Sequence, residues 1–406
     1  MMLGFSCSRL ALRKTSNTIP LLISNVQLGI LHFQSLLSLT SLSSQNLNGK
    51  SFTVSYLINS CGLTPHSADS VFKKVRFESP EKPDTVLAFL KNHGFTSTHI
   101  SKIVRQRPKV LLAHPETLLL PNIEFLRSVG VSSSDLSLIV SRNPEILFRS
   151  LDKYLVPRYE ILKSVLVCNE KVIKSLKHMS VLSMKLLLKN FDVNLSLLRQ
   201  IGVSQSSIDV LVMNYPFVMC VKADKFGDLV QKVMDMRFES SKVTFVRALH
   251  VFFQMTDELW VRRMEVYKKW GFSEDEIFSM FRKNPTFMIR SGEKVISILN
   301  FLVCRMGWQI ADVVSVPVVL SCSLEGRIIP RCFVARVLLL KGLISKADVS
   351  LFSLLMPSDE HFLEWFVIKH QEHVPQLSDL FHAKIGLEEL GFGFDEKLGI
   401  MSRESL

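Results

Sequence analysis

Glycine recurs along the 406-residue chain at a fixed beat: Gly62, Gly94, Gly130, Gly202, Gly271, Gly307 and Gly342, in steps of 32, 36, 72, 69, 36 and 35 residues. The two long steps are double ones. Four of these glycines have a proline 14 residues later, at Pro108, Pro144, Pro216 and Pro285. A period in this range points away from one globular core and toward small units stacked into a solenoid, each resting on its neighbours.

Each unit reads as two helices joined at the glycine. Gly94-Phe95-Thr96, Gly130-Val131-Ser132, Gly202-Val203-Ser204 and Gly271-Phe272-Ser273 share one pattern. Glycine ends a helix in the left-handed conformation without a Cβ clash, and the Ser or Thr two residues later offers an N-cap to the next helix. Ser273 and Glu276 fit a capping box. Before the glycine, Phe125, Leu126 and Val129, then Leu197, Leu198 and Ile201, then Val266, Tyr267 and Trp270 repeat one apolar face. After it, Ile100, Ile103 and Val104, then Leu136, Ile139 and Val140, then Ile277, Met280 and Phe281 repeat another. Both spacings are helical. The proline stops the second helix, because it has no N–H and disfavours a helical residue before it. Further prolines, at Pro121, Pro157 and Pro330, suit the first turn of the helix that follows.

Two units keep the frame without the glycine. Leu166-Val167 and Arg237-Phe238 stand at the turn, Ser180 and Val251 stand where the proline belongs, and looser geometry is expected there. The unit at Gly307 has its proline, Pro317, only 10 residues on. The expected fold is therefore all-α: a superhelical solenoid, right- or left-handed, of about nine units of ~35 residues. Residues 51–375 form the array, residues 1–50 a transit peptide and residues 376–406 an acidic tail.

Charge is uneven along the chain. Of the net +12, residues 1–50 hold four Lys or Arg and no acid, and residues 344–406 hold 5 Lys or Arg against 11 Asp or Glu, so residues 51–343 carry +14. A basic array suggests a polyanionic partner, with a merely solvated surface as the bland alternative. The basic, serine-rich, acid-free start matches an organelle transit peptide, for mitochondrion first and chloroplast second. Polar residues interrupt Ile19–Leu42 too often for a spanning helix. The seven cysteines form no C-x-x-C pair and read as reduced thiols.

No enzyme is visible. Phosphate-cradling loops, nucleophile elbows and zinc-protease motifs are all missing from the sequence. His361, His370 and His373 do not make up a metal set, because no fourth ligand is indicated. Neither catalytic residues, nor a metal, nor a cofactor is expected. Basic residues do gather near the prolines: Arg105 and Arg107 before Pro108, Arg142 before Pro144, Arg282 and Lys283 before Pro285. Arg149 and Arg290 each follow their proline by five residues, and Arg327, Arg331 and Arg336 surround Pro330. Recurrence at equivalent positions would line one edge of the solenoid with cations able to follow a phosphate backbone. Cations favoured at helix C-termini by the dipole account for Arg105, Arg142 and Lys283 as well.

This combination of helix pair, Gly-apolar-[ST] turn and proline stop resembles the mitochondrial transcription termination factor family, mTERF, over roughly residues 52–375. The clearest segments are Phe52-Thr53-Val54-Ser55-Tyr56-Leu57, Glu265 through Gly271 with Phe281-Arg282-Lys283-Asn284-Pro285, and Pro317-Val318-Val319-Leu320 leading to Arg327-Ile328-Ile329-Pro330-Arg331. They look like the expanded plant branch. The resemblance implies a helical superhelix that binds organelle nucleic acid and acts in transcription termination or initiation, RNA processing or splicing. The expected partner is organellar double-stranded DNA or RNA, beside organellar transcription or splicing proteins, with no membrane. Single-stranded RNA would need exposed aromatics for stacking. A protein-interaction scaffold is the rival from another class.

Overall fold

The computed structural model describes residues 52–390, which hold helices and turns and no strand. The expected transit peptide, residues 1–50, lies outside them, as do residues 391–406. Nine of the positive-φ positions in the described chain fall at the expected beat, the seven glycines, Val167 (φ 60) and Arg237 (φ 62), and a tenth, Ala383 (φ 52), lies beyond it. At Gly94, Gly130, Gly202 and Gly271 the closure is the same. The glycine N–H donates to the carbonyl three residues back and the next N–H to the carbonyl five back, as in Val131 to Leu126 at 3.0 Å. Thr96, Ser132, Ser204 and Ser273 then cap the second helix, and Glu276 accepts from the Ser273 N–H at 2.8 Å to complete the capping box.

The two turns without glycine differ from each other. Arg237 keeps the same closure, with its N–H on Met234 at 2.8 Å and Phe238 on Val233 at 3.5 Å. The second bond is longer than the 3.0–3.2 Å at Gly94, Gly130, Gly202 and Gly271, the looser geometry expected there. In the other unit the positive φ falls on Val167, one residue past the expected Leu166. Val167 (φ 60, ψ −42) centres a γ-turn closed by the Cys168 N–H on the Leu166 carbonyl at 2.6 Å. That is a strained shape for any L residue and more so for a β-branched one.

In the units that keep the proline, a third element lies beyond the two expected helices. Pro108, Pro144, Pro285 and Pro317 each open a short 3-10 turn (Pro108–Leu112, Pro144–Leu147, Pro285–Ile289, Pro317–Ser321). Another, Val218–Cys220, follows Pro216. Where Ser180 and Val251 replace the proline the turn is missing. Ser180 instead caps a 20-residue helix, Val181–Gln200, and Val243–Gln254 runs straight through position 251. The second set of prolines leaves its own mark. The Leu120, Val156 and Ile329 N–H groups reach the carbonyl five residues back, and Pro121, Pro157 and Pro330 come next. A proline ring crowds the carbonyl four residues before it, and the widened turn gives it room.

The second helices form the spine of the array. Pro65–Phe72, Ser97–Gln106, Ser133–Arg142, Asn169–His178, Gln205–Asn214 and Val243–Gln254 pack each on the next, and Glu274–Lys283 packs on Ile310–Ser315. Their apolar triplets are buried throughout, from Ile100, Ile103 and Val104 to Ile277, Met280 and Phe281. On the first helices only the middle position of each triplet, Leu126, Leu198 and Tyr267, is sealed. The unit at Gly307 is irregular, as expected: its first helix ends in a π-helical stretch, Asn300–Arg305, the Trp308 N–H reaches six residues back to the Leu302 carbonyl at 3.0 Å, and the second helix, Ile310–Ser315, is short. The acidic tail expected from residue 376 begins inside the folded body. Leu377–Phe381 packs on Ile329–Leu340, burying Leu377 and Leu380. Among the described residues no helix is long and apolar enough to cross a membrane.

Candidate nucleic-acid interface

The proline gives the units that keep it a common register at the C-terminal end of the second helix. Two residues before it (or before Ser180) stand Gln106, Arg142, His178 and Lys283. Each reaches a carbonyl three residues before the next unit's proline or its replacement: Gln106 Nε2 to Ser141 at 2.8 Å, Arg142 Nη1 to Lys177, His178 Nδ1 against Met213 at 3.1 Å, and Lys283 Nζ to Val314 at 3.1 Å. These carbonyls belong to last helical turns, where the acceptors are open and the dipole favours a cation. Arg142 and Lys283 therefore tie unit to unit along this edge.

One position earlier the register turns outward. Arg105 and Arg282 both stand three residues before a proline, and both are exposed with no hydrogen bond or ion pair among the described residues. Lys177, three before Ser180, shares the position and pairs with Asp135 at 2.9 Å. Charge clusters alone did not bring Lys177 into view; the repeat register does.

Arg107 and Arg149, 42 residues apart, converge on one carboxylate. Arg107 Nη1 is 2.9 Å from Glu145 Oε1 and Arg149 Nε is 3.2 Å from Oε2. Arg107 also lies over the Phe148 ring at 5.2 Å. The pair keeps a surplus positive charge on a half-exposed surface. A second group surrounds Cys322, whose thiol is raised by burial against the opposing pull of Arg327, Lys294, Arg331 and Arg290. Arg290 carries a buried Nε, and beside Cys322 Ser321 carries a buried Oγ, neither with a hydrogen-bond partner among the described residues. Lys294 reaches the Ser321 carbonyl at 3.4 Å. It escapes a reading based on proximity to prolines, since it lies nine residues past Pro285.

The expectation that Arg327, Arg331 and Arg336 line an open edge is corrected. Arg331 is 1% exposed and Arg336 3%. Arg331 donates to the Leu354 and Pro357 carbonyls at 2.9 Å each, pairs with Asp359 and lies over the Phe362 ring at 4.6 Å. Arg327 donates to the Leu355 and Pro357 carbonyls and pairs with Asp359 at 3.1 Å. The register supplies the reason. Arg331 follows Pro330 as Asn122 follows Pro121 and Arg158 follows Pro157, and each of these reaches carbonyls of the next unit: Asn122 those of Leu147 and Arg149, Arg158 that of Met184. Asn194 does the same to Met219 and Val221. Arg331 thus holds a scaffold position in which the side chain is a connector.

Among the described residues no group of three or more His, Cys, Asp or Glu could hold a metal. His250 is buried and stacked on Tyr215 at 3.7 Å, and burial lowers its pKa to about 4, so it stands neutral.

Comparison with known proteins adds two findings. A family model described as mTERF matches residues 87–298 and again 187–363, so the two matches run through most of the stacked units. A stretch of 110 residues is 30% identical to "Transcription termination factor MTERF15, mitochondrial" of Arabidopsis thaliana, covering 27% of this chain and 24% of that protein.

Proposed function

Because the chain belongs to the mTERF family, we propose that it is a mitochondrial nucleic-acid-binding protein that regulates organelle transcription, termination included, and that duplex DNA is its preferred ligand. One observation carries this reading. Arg105 and Arg282 stand at the same register in units far apart along the stack, exposed and unpaired among the described residues. Around them lie half-satisfied cations: Arg107 with Arg149, and Arg290 with Lys294. Cations held at equivalent positions of a repeated scaffold can contact the phosphates of a duplex, and such contacts set register without reading bases. The protein acts here as a non-enzymatic clamp. A chloroplast address and a role in RNA processing are the alternatives, and the same cations would serve either.

The test is salt-dependent binding to labelled duplex and single-stranded oligonucleotides of unrelated sequence. Duplex affinity should fall steeply with salt. The double substitution Arg105→Gln, Arg282→Gln should weaken all duplexes alike and reduce the slope of log K against log salt by about 0.9 for each phosphate no longer neutralised. An unchanged slope would remove these two residues from the interface. Tighter binding to single strands would overturn the duplex preference.

A further inference from the structure

Residues 344–390 close the C-terminal end of the stack. Their inner side chains, Phe362, Phe366, Leu377 and Leu380 among them, are buried. Their outer side is uncovered: Phe352, Trp365 and Ile368 are 64%, 52% and 62% exposed. His361, Trp365 and Ile368 lie along residues 359–370, which pass from α-helix (Asp359–Phe362) through a π-helical stretch (Leu363–Val367) into a 3-10 turn (Ile368–His370). The His361 ring stacks on Trp365 at 5.6 Å. Single exposed apolar residues are ordinary, but an exposed tryptophan with a histidine ring stacked on it and an exposed isoleucine three residues on has the composition of a binding surface.

Charge identifies the kind of occupant. Residues 344–390 hold 3 Lys and no Arg against 8 Asp or Glu, whereas residues 51–343 carry +14. Asp359 is taken by Arg327 and Arg331, and Asp379 by Lys384. Glu360, Glu364 and Glu372, near these residues in the chain, have no ion pair among the described residues and are exposed, as is Lys369, which leaves the segment with surplus negative charge. Such a segment repels a phosphate backbone and attracts cations. We infer that Trp365, with His361 stacked on it and Ile368 three residues on, and with the carboxylates of Glu360, Glu364 and Glu372 nearby in the chain, forms a docking surface for a helix of a partner protein whose apolar stripe is flanked by lysine or arginine. The molecule then has two separate binding regions: a basic array for nucleic acid and an acidic, aromatic end for protein.

The probe is a fluorescein-labelled helical peptide of Leu and Lys with one apolar stripe, titrated by anisotropy into the full chain beside its scrambled isomer. The striped peptide should bind and the isomer should not. Trp365→Ala with Ile368→Ser should weaken it about tenfold or more, as should Glu364→Lys with Glu372→Lys, while duplex binding and its salt slope stay as in the unaltered chain. That last readout separates failure here from failure of the nucleic-acid reading. Equal binding of the two peptides, or no effect of the Trp365 and Ile368 substitutions, would overturn the inference. So would stronger peptide binding after removal of residues 391–406, which would make the chain's own end the occupant. Loss of self-association in the same variants would assign the surface to a second copy.

Discussion

Val167 shows what a missing glycine costs. Its φ of 60 and ψ of −42 are held by the Val167 N–H on the Lys163 carbonyl at 2.9 Å and by the short γ-turn bond, and the residue is 74% exposed, so no packing favours valine there. Val167→Gly should raise stability in urea titration by about 1 kcal/mol. Gly130→Val should lower it by about 1–2 kcal/mol. At φ +97 the strain comes from the backbone alone, because an added Cβ would meet nothing nearer than Ile173 Cδ1 at 4.0 Å. Equal stability of wild type and Val167→Gly would show the turn to be relaxed. His250 makes a second residue-scale prediction. Burial depresses its pKa to about 4 from 6.5, so the unfolded chain takes up the proton first. Stability is therefore undiminished above pH 6.5 and declines as pH falls toward 4, by about 3 kcal/mol from this group. His93 and His370, also lowered by burial, act in the same direction. His250→Phe should flatten the slope without abolishing it; an unchanged slope would mean that the ring is protonated in the fold.

Single elements divide into those a reader of the sequence can see and those decided by neighbours. The glycine turns and the buried faces of the second helices were legible, because a left-handed helix end and an i, i+3, i+4 stripe each admit few residue types. The 3-10 turns after the prolines were not, since four or five residues leave no periodicity to read. Nor was the fate of Arg331, which looks like a surface cation until it is aligned with Asn122 and Arg158. Its replacement should therefore behave as a core lesion. Arg331→Met leaves the Leu354 carbonyl without this donor and the Asp359 pair broken, and should destabilise the C-terminal end by about 2 kcal/mol. Arg105→Gln should leave the melting temperature where it was. Thermal melts of the two variants, side by side, separate connector from surface cation; a neutral Arg331→Met would refute the connector role.

Across the whole molecule, stability is a sum over units and the junctions between them. The junction at Val167 is the poorest among the interior ones. It has a strained turn, Cys168 in place of a capping serine with no side-chain cap, and Ser180 in place of the proline. Native-state hydrogen exchange should find amides of Asn169–His178 opening at lower free energy than those of Ser133–Arg142 or Glu274–Lys283; equal protection would show that neighbouring units compensate in full. The candidate interface was only partly legible for a related reason. Charge says which residues a polyanion would prefer, but stacking decides which of them still face outward. Gln106, Arg142, His178 and Lys283 each join one unit to the next by a bond at one edge. A body joined in this way responds to force as links in series do: every link carries the same load, extension adds along the row, and the link at Val167 yields first. An elongated ligand pulling on both ends would feel a spring whose softest coil lies well inside it.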